Sequence, residues 1–124
     1  MYQRITIIGR LGHDPEMRFT PAGKAVTSFN VATDRAYTDT TGKVVKETTW
    51  FRVSVWDKLA ENCNNYLKKG KLVFVEGRLT VDPKTGEPRI WEKDGKPHAN
   101  FEIDASTVKF LSPKDEASQE IPFS

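Results

Sequence analysis

Polar and apolar positions alternate along most of this chain, and the alternation breaks at glycine and proline. Residues 3–11, QRITIIGRL, are β-branched and apolar and predict a first strand. Residues 12–24, GHDPEMRFTPAGK, hold two prolines and two glycines around Met17–Phe19, which predicts a loop with a brief strand extension. A long second strand is expected over 25–37, where Thr27, Phe29, Val31 and Thr33 alternate with Val26, Ser28, Asn30 and Ala32. Residues 38–45 read as a hairpin connection with Gly42 available for positive φ, and residues 46–56 as the third strand.

The period then changes. In residues 57–69, DKLAENCNNYLKK, Leu59, Cys63, Tyr66 and Leu67 fall on one helical face. Asp57 is placed to cap this helix, Lys68 and Lys69 suit its negative end, and Gly70 can take the left-handed position beyond it. The fourth strand is expected over 71–81, with Gly77 marking a bulge or bend. Residues 82–88 and 93–97 read as turns, 89–92 as a short strand and 99–111 as the last strand. Five strands with one helix between the third and fourth predict an all-β fold with one short helix. That is the OB-fold, a five-stranded, partly open Greek-key barrel. Residues 1–111 would form the domain and 112–124 a short acidic, flexible tail.

Parity on the third strand points to a binding face. Side chains two apart share a face of a strand. Phe51, Val53 and Val55 therefore make one face, which suits a core. Trp50, Arg52, Ser54 and Trp56 make the other, and a buried face would not also carry an arginine. Flat rings stack on any base, and a cation between them can pair with phosphate. Six strand residues at about 3.3 Å each separate the two tryptophans by roughly 20 Å, enough for separate nucleotides. Ser54 is small enough to leave room for a base between the rings, so a bulky residue there should impair binding without unfolding the protein.

Tyr37, near the end of the second strand, either extends this platform or covers the barrel rim. Trp91, in the hairpin between the last two strands, is a further stacking candidate. Arg4, Arg10, Arg35, Arg78, Lys46 and Lys71 are the candidate phosphate-pairing cations beside Arg52. Arg18, Arg89, Lys24 and Lys43 could add to the path.

Charge and composition narrow the class. The net charge is only +2, but residues 113–124 carry Lys114 against Asp115, Glu116 and Glu120, which leaves a mildly basic body. There is no run of about 18 apolar residues, so no membrane-spanning helix is expected. The N-terminal MYQRITIIGRLG lacks the layout of a secretory signal, and an intracellular protein is expected. Cys63 is the single cysteine and falls on the apolar helix stripe, where it reads as a small hydrophobe rather than a nucleophile. His13 and His98 lack companion ligands. No catalytic activity, metal or cofactor is expected.

Three long stretches resemble the bacterial single-stranded DNA-binding protein family. They are GRLGHDPEMRFTPAGKAV (9–26), TTWFRVSVWDKLAE (48–61) and YLKKGKLVFVEGRL (66–79). The resemblance implies a homotetramer of OB-folds in the bacterial cytoplasm, associated with the nucleoid, that binds single-stranded DNA without sequence preference during replication, recombination and repair. It places stacking aromatics at Trp50 and Trp56 and, with a substitution, at Tyr37. A fourth follows the fourth strand, where this chain has the longer TVDPKTGEPRIW and Trp91. Phe51 matches a subunit-interface position. Ile121, Pro122 and Phe123 match the family's partner-binding tail, although Ser124 follows them here. An alternative is a related OB-fold, similar to primosomal replication protein N, acting as a protein adaptor in a replication-restart complex.

Overall fold

Alternation along the first apolar run becomes β1 (Ile5–Leu11), with Ile7 and Leu11 buried and Ile8 and Arg10 exposed. The computed structural model describes residues 1–112. The brief extension is β2 (Glu16–Phe19), followed by β3 (Ala25–Thr38) and β4 (Val44–Trp56). Helix α1 (Asp57–Tyr66) leads into β5 (Leu72–Leu79), and β8 (Phe101–Phe110) completes the sheet. Between β5 and β8 a separate two-stranded arm is built from β6 (Ile90–Lys93) and β7 (Lys96–Ala99).

The large sheet runs β1-β5-β8-β4-β3-β2, and β1 also pairs with β3, so β1, β3, β4, β8 and β5 close into the expected five-stranded barrel. β1 and β3 close the barrel in register at Arg10↔Ala32 and Leu11↔Val31, and the Gly12 N–H beyond β1 donates to the Asn30 carbonyl, while β4 and β8 pair in parallel. Inward positions from every barrel strand form the core: Ile7, Phe29, Val31, Val53, Val55, Val73, Val75 and Ile103. Ala60 and Cys63 of α1 and Leu67 beyond it join that core, and the Thr27 hydroxyl donates to the Ala60 carbonyl at 2.7 Å. The helix thus covers one end of the barrel.

Glycine permits the tight closure. At Gly77 the β5–β8 register shifts, as a bulge requires. A Cβ there would stand 2.1 Å from the Asp104 carbonyl oxygen, so only a bare backbone fits. Gly42 takes φ +84 in the β3–β4 connection, as the sequence predicts. Asp94 and Gly95, at φ 54 and 75, make the two-residue arm turn.

The helix departs from its sequence expectation. It ends at Tyr66 rather than 69, because Leu67 turns extended and enters the core. Gly70 does take positive φ, but beyond the helix end. Its N–H donates to the Leu11 carbonyl, and the neighbouring Lys69 N–H donates to the Asp14 carboxylate. Asp57 is not the cap. Trp56 occupies that position without a side-chain hydrogen bond, and Asp57 is held at φ 56. Tyr66 leaves the buried stripe and stands exposed against Phe110, with ring centroids 6.0 Å apart. The last strand begins at Phe101, because Ala99 belongs to β7.

Candidate nucleic-acid interface

Strand β4 divides its side chains as parity requires. Val53 and Val55 have no solvent exposure, whereas Trp50 and Trp56 keep 50% and 41% of theirs. Antiparallel β3 holds β4 from one side, with Ala32 opposite Trp50, Asn30 opposite Arg52 and Val26 opposite Trp56. Parallel β8 holds it from the other, with Glu102 beside Arg52. Both rings thus project from a strand fixed on both edges. An exposed tryptophan costs hydration of its apolar ring, and a ligand that covers it recovers that term.

Trp50 and Arg52 line a small depression of about 160 Å³ with His13, Asn30, Phe51 and Asn100. Arg52 has no ion-pair partner among the described residues. Its charge can therefore meet a phosphate without first leaving a carboxylate. Trp56 borders a larger groove of about 540 Å³ together with Tyr2, Arg4 and Arg78.

Most other candidate cations are held by carboxylates. Arg4 pairs with Glu76 at 2.7 Å and Arg78 with Asp104 at 3.5 Å. At the outer end of β3 and β4, Arg35 pairs with Glu47 at 3.7 Å and Lys46 with Asp34 at 3.6 Å. Exposed pairs of this kind are worth about 0–1 kcal/mol, so exchanging a carboxylate for a phosphate costs little. Arg10 is different: its guanidinium donates to the Gly70 carbonyl at 2.8 Å and ties β1 to the chain beyond α1. Lys71 lines a separate depression with Tyr66, Leu72 and Phe110, apart from both tryptophans.

Tyr37 lies at the outer end of β3, with the Arg35 guanidinium 4.7 Å from its ring centroid. A hydrogen bond to Glu47 and the charge of that carboxylate hold its phenol above the ordinary value of 10.0. The hydroxyl therefore stays protonated, and the ring is available as a neutral surface. Trp91 lies on the arm, stacked on His98 with centroids 6.0 Å apart and planes at 27°. Phe51 meets Phe101 at 5.8 Å, and Phe101 is exposed. Ile121, Pro122 and Phe123 lie outside the described residues.

The sequence reading missed Gly12, His13, Asn30 and Asn100 as walls around Trp50, because they come from segments that only the closed barrel brings together. It missed His98 as the partner of Trp91. A usable signal existed for that pair, since a two-residue Asp-Gly turn sets 91 opposite 98. Among the described residues no three metal-ligating side chains cluster, and Cys63 is fully buried.

The pattern of the Single-strand binding protein family matches residues 2–111. The chain is 39% identical over 120 residues to a single-stranded DNA-binding protein of Neisseria meningitidis serogroup A, an alignment spanning 97% of this chain and 66% of that one. It thus spans about two thirds of the length of such curated relatives. Its fold matches a Thermus aquaticus single-stranded DNA binding protein, a deletion mutant, at TM-score 0.68 and 36% identity, covering 88% of this chain and 50% of that one. It also matches Plasmodium falciparum SSB in complex with ssDNA at TM-score 0.72 and 26% identity, covering 90% and 96%.

Proposed function

This chain belongs to the single-strand binding protein family, and from that premise we propose that it binds single-stranded DNA without sequence preference. One observation carries the reading: Trp50, Arg52 and Trp56 share the outward face of a strand whose inward face already supplies the core. Bases stack on the two rings, and phosphates pair with Arg52 and then with Arg4 and Arg78 in the groove beside Trp56. Tyr37 and Trp91 extend the platform. Stacking reads no base edge, so the binding is general.

The protein acts by coating and protecting exposed strands in the bacterial cytoplasm, at the nucleoid, during replication, recombination and repair, and it catalyses nothing. Residues 1–111 are the binding domain and 112–124 the tail. The adaptor reading is not favoured, because an adaptor gives no reason for a cation between two exposed tryptophans. The exposed Phe101 beside Phe51 supports a subunit contact there and assembly as a homotetramer. The tail Ile121-Pro122-Phe123 would recruit replication and repair proteins.

Titration with oligo(dT) tests the central reading. Tryptophan fluorescence should be quenched, and Trp50→Ala and Trp56→Ala should each weaken binding by about 1–3 kcal/mol. Affinity should fall with salt at a slope of about −0.7 per phosphate contacted. Absence of quenching at low salt would refute it.

A further inference from the structure

All eight residues of the β6–β7 arm are exposed, so burial does not set its direction. The fastening sits at its root, and both ends of the 80–89 connection converge there on one residue. At the start, the Thr80 N–H donates to the Glu102 carbonyl at 2.9 Å. At the end, the Arg89 guanidinium grips both carboxylate oxygens of Glu102, with Nη2–Oε1 at 2.9 Å, Nη2–Oε2 at 3.1 Å and Nε–Oε2 at 3.2 Å. The Glu102 side chain is only 13% exposed, which makes this the most sheltered carboxylate among the ion pairs of the described residues. A two-pronged arginine–carboxylate bond fixes direction as well as distance. Between those ends the connection closes on itself, with the Asp82 N–H donating to the Glu87 carbonyl and the Gly86 N–H to the Asp82 carbonyl.

The arm has something to aim. Trp91 stands opposite His98 and Lys93 opposite Lys96, and strand parity puts all four on one face. Like charges directly opposite each other repel, and neither lysine has an ion-pair partner among the described residues. The face is thus a ring pair followed by an uncompensated cation pair.

We propose that Arg89 and Glu102 form a latch that holds this face in line with the Trp50–Trp56 row, so that one strand of DNA reaches both. Arg89 is then a positioning residue rather than a phosphate contact. The idea rests on the single-strand reading above. It also fixes the role of Glu102, which lies beside Arg52 in the β4–β8 register. By charge alone, removing Glu102 would favour phosphate at Arg52. Through the latch, removing it releases the arm.

The two effects have opposite signs, and that decides the test. Oligo(dT) affinity is measured for the full chain, Glu102→Gln, Arg89→Gln and the exchanged pair Arg89→Glu/Glu102→Arg, with circular dichroism to confirm folding. Trp50→Ala serves as the control for the single-strand reading. The latch predicts that Glu102→Gln and Arg89→Gln weaken binding to a similar extent, about tenfold if roughly one stacked base is lost. It also predicts the same salt slope in both single variants, shallower than the parent's because the Lys93–Lys96 pair leaves the strand with the arm, and recovery of affinity and slope in the exchanged pair. Tighter binding by Glu102→Gln, or a shallower salt slope for Arg89→Gln alone, would overturn the latch and make Arg89 a phosphate contact. If Trp50→Ala leaves binding unchanged, the single-strand reading itself fails, whatever the latch variants do.

Discussion

The six-membered ring of Trp50 rests on the backbone of Gly12. A Cβ added at Gly12 would stand 2.5 Å from Cζ3 and 2.6 Å from Cη2 of that ring. The Gly12 N–H donates to the Asn30 carbonyl at 3.1 Å, so the glycine cannot simply move aside. One side of the indole is thus supported, and half of the residue stays open. Gly12→Ala should push the ring out of its seat. Gly12 is not in the positive-φ region, so the new side chain brings no backbone strain. The displaced group is the far end of a side chain, so stability should change little. Oligo(dT) affinity should fall by about 1 kcal/mol, a good part of one stacked base. Fluorescence titration and thermal melting on one sample would check both halves. Unchanged affinity would mean that the seat does not matter.

Ser54 sits on the same face as Arg52 and Trp56, half-buried and directly opposite Ser28. A small residue there keeps the surface between the rings low. Ser54→Leu should raise it and obstruct the strand. The expected result is several-fold weaker oligo(dT) binding with a melting temperature close to that of the parent, since no core volume changes. A loss of stability instead would assign Ser54 to packing.

The exposure of Trp50 and Trp56 on one face was legible because strand parity is a local property. Phe51, Val53 and Val55 on one side and Arg52 on the other sufficed to say which face Trp50 and Trp56 share. The helix end was not legible. Leu67 fits a helical stripe as well as the extended position it takes, and only the barrel's open end decides between them. Asp57 as a cap failed for a related reason: β4 runs directly into the helix and leaves Trp56 in the capping position. Ion pairing of the cations depends on register. Arg35 faces Glu47 because β3 and β4 pair in one alignment, and nothing near Arg35 in sequence shows it. Trp91 and His98 were within reach, since the Asp94–Gly95 turn fixes their pairing by counting outward.

Gly77 offers a test of the barrel rather than of binding. An added Cβ would meet backbone, 2.1 Å from the Asp104 oxygen and 2.7 Å from the Ala105 Cα. Neither atom can rotate away, and relief requires β5 and β8 to part at the bulge. Overpacking a tight site costs about 1–3 kcal/mol, and a backbone clash belongs at or above the top of that range. Gly77→Ala should therefore lower the urea midpoint strongly. A midpoint within error of the parent would show that the strands open there freely.

Cys63 ties stability to pH in a direction that can be worked out. Its side chain is fully buried under the helix, and burial pushes the thiol up from its ordinary value of 9.0 to about 12. Between those values the unfolded chain has lost the thiol proton and the folded chain keeps it. The folded state then binds more protons, so stability falls as pH rises. The contribution is fully present below about pH 9 and is lost as pH climbs through about 12. Lysines and tyrosines titrate in the same range, so the measurement has to be a difference. Urea unfolding of the parent and of Cys63→Ala, repeated at intervals from neutral pH upward, should give a gap that shifts against the parent above pH 9 and is constant below it. The same burial keeps the thiolate scarce, so the native protein at neutral pH should resist a thiol reagent that labels it in urea. Rapid labelling of the native protein would show that the helix opens far more readily than its packing implies.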